Sequence, residues 1–179
     1  MSGDTSNANV WADADVYVST DLDATFPASA ASPMGAAWDL VGLLDGSAGF
    51  PENRTMQEND HYAWGGILVA TSWKQYKETW GFTSLESNSV TRALSNPGST
   101  AEALRIPRPI NLKICFELRR GGKVYRRMCR NYAWVQQQNR TINEDTLEQR
   151  PYVATIYPDS DGWIWDLQGV PDLESIAIS

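Results

Sequence analysis

Strict alternation of apolar and polar residues confines the middle of this chain to extended, half-buried sheet. Leu112, Ile114, Phe116 and Leu118 fall on one side, and Lys113, Cys115, Glu117 and Arg119 on the other. A period of two sends successive side chains to opposite faces of a strand. Gly121-Gly122 supplies a tight turn, so the stretch reads as a hairpin. A two-residue turn sets Glu117 opposite Arg126 and Cys115 opposite Met128; one further loop residue sets Glu117 opposite Arg127 and Cys115 opposite Cys129. Both registers pair Glu117 with an arginine, and the sequence leaves the choice open. The return strand is expected to run on through Tyr132, Trp134 and Gln136.

The same period recurs elsewhere. Residues 16–19 read as a first short strand, and Ala36, Trp38, Leu40, Gly42 and Leu44 as one side of a second, closed by Asp45-Gly46. Two strands follow Tyr62, Trp64, Gly65 and Gly66. One carries Ile67, Val69, Thr71 and Trp73; the next carries Tyr76, Trp80 and Phe82, with Gln75, Lys77, Thr79, Gly81 and Thr83 as a polar opposite face. A helix is expected over about residues 87–95, stopped by Asn96-Pro97-Gly98. Residues 152–157 and 163–167 read as a last hairpin around the turn 158–162. The total is about eight strands and one helix, a mostly β fold of sandwich or barrel type with one flanking helix.

With 179 residues, 42% of them hydrophobic, the chain suits one domain. Residues 1–15, with Asp4, Asp13 and Asp15, read as a mobile arm, 16–167 as the domain, and 168–179 as a tail whose Ile176 and Ile178 are apolar enough to dock. Residues 21–33 form a loop expected to be ordered by a neighbour, 45–60 a long polar loop, and 97–109 an irregular connector with three prolines. The strand–strand–helix unit from Tyr62 to Asn96 stays half-exposed unless further sheet or another subunit covers it, which points toward assembly. Eight Trp and seven Tyr fit surfaces that meet a partner as well as a small aromatic core.

Net charge is −7, distributed unevenly. Residues 105–140 carry ten Lys and Arg against one acid, Glu117, a local +9 that leaves −16 for the rest. The strip Arg119, Arg120, Lys123, Arg126, Arg127 and Arg130 is a candidate docking surface between copies, with a solvated sheet face and nucleic-acid binding as the other readings. Residues 1–15 have no basic segment or apolar run of a targeting signal, and no stretch has the eighteen or so apolar residues that span a bilayer, so folding in a cytosol is expected. There the two cysteines stay thiols.

His61 is the only histidine, and P-loop, dinucleotide, zinc-protease and nucleophile-elbow motifs are missing. Asp159, Asp161 and Gly162 lack the downstream glutamate of a calcium loop and read as a turn. Asn53-Arg-Thr55 and Asn139-Arg-Thr141 match glycosylation acceptors, a motif frequent by chance. No catalytic residue, metal ligand or cofactor is expected.

The strand at residues 16–19, the proline-containing loop after it, the strand and turn from Trp38 to Gly46, the acidic-polar loop before Trp64-Gly65-Gly66 and the strand-then-helix unit ending at Asn96 resemble the major tail tube proteins of long-tailed (siphovirus-type) phages, especially those infecting actinobacteria. The likeness covers about the first hundred residues; the second half agrees only in pattern. It implies a structural virion protein, assembled in a host cytoplasm, whose hexameric rings stack into a tube that double-stranded DNA passes through without specific binding. The implied partners are further copies of the chain, a tape-measure protein, and tail terminator and tip proteins, with no membrane. Asp45, Glu52, Arg54, Glu58 and Asp60, in the 45–60 loop, are the candidates for ring-to-ring contact. A carbohydrate- or ligand-binding sandwich, a nucleic-acid module using Tyr125, Tyr132 and Trp134, and a tail terminator, connector or baseplate hub protein are the alternatives.

Overall fold

A computed structural model describes residues 10–169 and builds them into two antiparallel sheets and a short helix. The first sheet has the order β2 (Asp39–Leu40), β1 (Asp13–Ser19), β5 (Lys113–Arg120), β6 (Lys123–Cys129), β9 (Trp165–Gln168); the second has β3 (Glu52–Tyr62), β4 (Leu68–Ser84), β8 (Arg150–Tyr157), β7 (Tyr132–Gln137). The expected mostly β sandwich with one helix is the observed architecture. Its core lies between the sheets, where Val16, Val18, Ile114 and Phe116 meet Trp80, Phe82, Val135, Tyr152 and Ile156. Helix α1 (Ser89–Ser95) closes one end. Asn88 caps it reciprocally with Thr91, and the buried Tyr152 hydroxyl donates to the Thr91 carbonyl at 3.0 Å.

The central hairpin takes the tighter register. Glu117 faces Arg126, Cys115 faces Met128, and Gly121 and Gly122 have φ of 54° and 78°, which a two-residue turn of matching twist requires. Cys115 and Cys129 lie on opposite faces of the first sheet, in separate apolar clusters, so they remain thiols. Burial pushes both above their usual range, Cys129 to about 11.

Several expected boundaries move. The arm ends earlier, because Asp13–Ser19 is already strand; residues 1–9 and the expected docking tail beyond 169 lie outside the described residues. The strand expected from Ala36 shrinks to Asp39–Leu40, because the chain turns at Gly42, where φ is +105° and a Cβ would stand 2.4 Å from the Glu86 carboxylate. The long return strand is two strands in different sheets. Lys113 Nζ donates to the carbonyls of Cys129 and Arg130, and Asn131 donates to the Pro158 carbonyl, so the chain crosses between sheets at residues 130–131. Residues 152–157 and 163–167 likewise belong to opposite sheets, joined by a crossover that Asp159 holds by accepting from the Asp161 and Trp163 amides.

The first sheet is covered on both faces. Its outer side packs Cys115 and Met128 against Ala24, Trp38, Phe26 and Met34 from the 20–38 segment. The 21–33 part of that segment was expected to be ordered by a neighbour, yet Arg126 orders it from within. Its guanidinium pairs with Glu117 at 2.6 Å and donates to the carbonyls of Ser29 and Ser32, while Gln168 donates to that of Pro27. Arg126 and Glu117 are 5% and 2% exposed, so losing one leaves the other charge buried and unpaired. Arg126→Met is expected to lower unfolding free energy by about 3–5 kcal/mol in denaturant titration.

Candidate assembly hairpin

Eleven residues in β3 and seventeen in β4 make the longest strands of the fold, whereas β7 and β8 have six and eight. Only Glu78–Ser84 of β4 pairs with β8, so the rest of the β3–β4 hairpin runs beyond the sandwich. Two expectations are corrected here. The polar loop at 45–60 is a loop only as far as Pro51 and is strand from Glu52, and the two strands expected between Ile67 and Phe82 are one. A bulge with Gln75 at φ 56° absorbs the apparent break, since Thr55 faces Lys77 but Gln57 faces Lys74.

A carboxylate fixes the place where the hairpin departs. Glu78, 1% exposed, accepts the indole N–H groups of Trp80 at 2.8 Å and Trp165 at 2.6 Å, takes the Tyr76 hydroxyl, and pairs with Arg54 at 3.3 Å. Burial pushes this acid up, but the hydrogen bonds and the Arg54 charge outweigh it and hold the carboxyl below its usual 4.5. Burial and the Glu78 hydrogen bond push the Tyr76 phenol up to about 12. Arg127 extends the junction between sheets: it stacks over Trp80 at 4.7 Å and reaches Glu52 at 3.7 Å.

Across the second sheet, register separates two faces. Glu52, Trp80, Ala154 and Val135 form a row toward the core, and Asn53, Thr79, Thr155 and Trp134 form the adjacent row on the open side. Past the sandwich the core-side face continues through Met56, Glu58 opposite Trp73, Asp60 opposite Thr71, and Tyr62 opposite Leu68. Nothing in the described subunit covers it: Tyr62 is 61% exposed, Leu68 51% and Trp73 64%. The other face is polar, with Thr55, Gln57, Asn59 and His61, whose ring nitrogen meets Ser72 Oγ at 3.2 Å. Trp64, wholly exposed, marks the tip.

The five acid-and-base candidates of the 45–60 segment therefore separate. Asp45 caps a turn by accepting from the Ser47 amide and hydroxyl, which lower its pKa. Glu52 and Arg54 pair at the hairpin root, and Glu58 and Asp60 ride on its projecting half. The basic strip also divides, because a period of two splits it between faces and acids of the same subunit meet several members. Arg119 pairs with Asp13, Asp15 and Glu117; Arg126 is buried on Glu117; Arg127 lies against Glu52; Arg130 pairs with Asp159 at 3.1 Å. Arg120 and Lys123 flank the glycine turn. One continuous positive surface is thus not what the strip forms. The sequence marks the unit beginning at Tyr62 as half-exposed and suited to assembly, but the uncovered apolar residues of the hairpin are not among the site candidates it names; their trace is the run of Trp, Ile, Leu and Val around Gly65-Gly66.

No family model matches the chain, and no curated protein matches it.

Glu78 yields a pH prediction. A carboxyl whose folded pKa is depressed stabilises the fold above its unfolded pKa and loses that contribution as pH falls through the folded value. Wild-type stability should therefore fall faster than that of Glu78→Gln below pH 4.5, the two curves running parallel well above it. Denaturant midpoints measured across this range check it.

Proposed function

We propose that the chain is a tail tube protein: a structural subunit that closes into rings, six copies to a ring, which stack into the conduit of a phage tail. The observation that carries this reading is the β3–β4 hairpin, which leaves the sandwich with the apolar residues of its core-side face uncovered. A two-stranded ribbon is marginal in water unless further sheet or another surface packs on it. Large uncovered apolar groups on such a ribbon favour a partner.

The second sheet supports the same reading. It has β3 at one edge and β7 at the other, and beyond Ala133, which bonds Leu112, the rest of β7 leaves one copy room to continue into the next by edge pairing. Six four-stranded sheets give about 24 strands and, at about 4.8 Å each, a circumference of roughly 115 Å and a diameter of roughly 37 Å. A DNA conduit needs a wall that does not hold phosphates. The open face of this sheet suits that need: where its four strands overlap, Lys77 is the one charged side chain among Thr, Asn, Gln and aromatic residues. We assign this face to the lumen.

The alternatives draw less support. Trp64 and Trp73 are on the hairpin and Trp163 is in the β8–β9 crossover, so they form no single sugar platform. Tyr125 packs edge-on against Trp11 on the first sheet, while Tyr132 and Trp134 pack on Tyr157 on the second, so the three residues of that reading do not share one surface.

Purified chain should form rings or tubes by negative-stain microscopy. Replacing residues 58–73 with Asn-Gly keeps the root pairs Glu52–Trp80 and Thr55–Lys77 and should give folded subunits that remain monomeric by sedimentation. Tubes from the shortened chain would refute the assignment.

A further inference from the structure

We infer that the uncovered hairpin face of one copy docks on the 103–108 segment of the next copy, with Glu58 and Asp60 meeting Arg105 and Arg108. The inference rests on the ring reading and names the surface that receives the hairpin.

Two surfaces of the chain complement one another. The hairpin face combines Glu58 and Asp60 with Tyr62, Leu68 and Trp73. The connector between α1 and β5 combines Arg105 and Arg108 with Leu104 and Ile106, which are 66% and 83% exposed. Neither pair of charges forms an ion pair with the described residues of its own subunit. An exposed apolar pair beside two unpaired cations is a costly surface to leave in water, and acids beside apolar groups are its natural complement.

Position favours the same match. The hairpin belongs to the β3 edge of the second sheet; the connector borders a groove shared with Gln136, Gln137 and Gln138, which end the β7 edge. The hairpin leaves the sheet past the Tyr132–Tyr157 pair, whereas this groove lies at the opposite end of β7, so copies stacked end on end in one orientation bring the hairpin of one to the connector of the next. Such a contact is head-to-tail, the kind that repeats along a stack. The core-side face of the hairpin is also the correct one, since α1, from which the connector leaves, packs Leu94 into the core on that side of the sheet.

Internal bonds hold the receiving segment ready. Asn96 donates to the Arg105 carbonyl at 2.9 Å, the Arg105 amide donates to Ser99 Oγ at 2.9 Å, and Arg92 donates to the Ala101 carbonyl. A connector tied in this way presents Leu104 and Ile106 with little ordering left to do on docking.

Charge exchange tests the contact. Wild type, Glu58→Lys with Asp60→Lys, Arg105→Glu with Arg108→Glu, and the combination of all four are compared by sedimentation velocity and microscopy, with circular-dichroism melts to verify folding and Glu58→Lys alone as the milder acid variant. Either reversal should raise the concentration needed for assembly by about tenfold or more, and the combination should restore assembly because opposite charges meet again. Assembly indifferent to both reversals, or no recovery in the combination, overturns the hairpin–connector contact and leaves the ring reading standing. Wild-type chain that stays monomeric at every concentration and salt defeats both.

Discussion

Unequal strand length governs this fold. A sandwich buries apolar side chains only where its two sheets overlap, and β4 runs on for ten residues before it reaches β8. The projecting half cannot share the core, so its register must be held at the root. Glu78 does that by collecting two indoles, a phenol and a guanidinium from three strands around one buried carboxylate. Replacing this acid with an apolar residue would strand the Trp80 and Trp165 N–H groups at about 1–3 kcal/mol each. The bulge at Gln75 lies three residues beyond, where this support ends.

The two sheets are finished differently, and the difference selects which one meets other molecules. Arg126 and Gln168 pull the 20–38 segment over the first sheet, so both faces of that sheet are spent inside the subunit. The second sheet keeps one face and its β3 edge open, while Leu112 pairs with Ala133 on part of the β7 edge. A basic strip looks like a docking surface in the sequence, but its arginines are largely engaged in holding this arrangement. The surfaces left over are the hairpin and the connector, where the charges are few and the apolar residues large.

How much of this the sequence disclosed follows from where burial is. The Leu112 hairpin and helix α1 were legible because each combines a buried face with a strong local signal, Gly121-Gly122 in one case and Asn96-Pro97-Gly98 in the other. Strand β3 was not. Its residues are exposed on both faces, so Glu52–Tyr62 has no apolar period and reads as a polar loop. In β4 the alternation changes phase between Trp73 and Tyr76; a turn and a bulge leave the same mark, and only the pairing partners distinguish them. The crossing at residues 130–131 was hidden for the opposite reason, because Cys129, Ala133 and Val135 keep one parity through the change of sheet.

The same period that conceals the site also explains how a single ribbon could serve two incompatible surroundings. Acids and large apolar groups fall on the even positions of β3, amides and hydroxyls on the odd ones, so one face is suited to a packed contact while the other stays neutral and wet. A slip of one residue would exchange the faces, placing Glu58 and Asp60 where Gln57 and Asn59 now stand. That makes register, more than affinity, the quantity the root must protect. It accounts for a buried carboxylate at the root, Glu78, in a subunit whose other buried carboxylate, Glu117, pairs with Arg126 to hold the 20–38 segment.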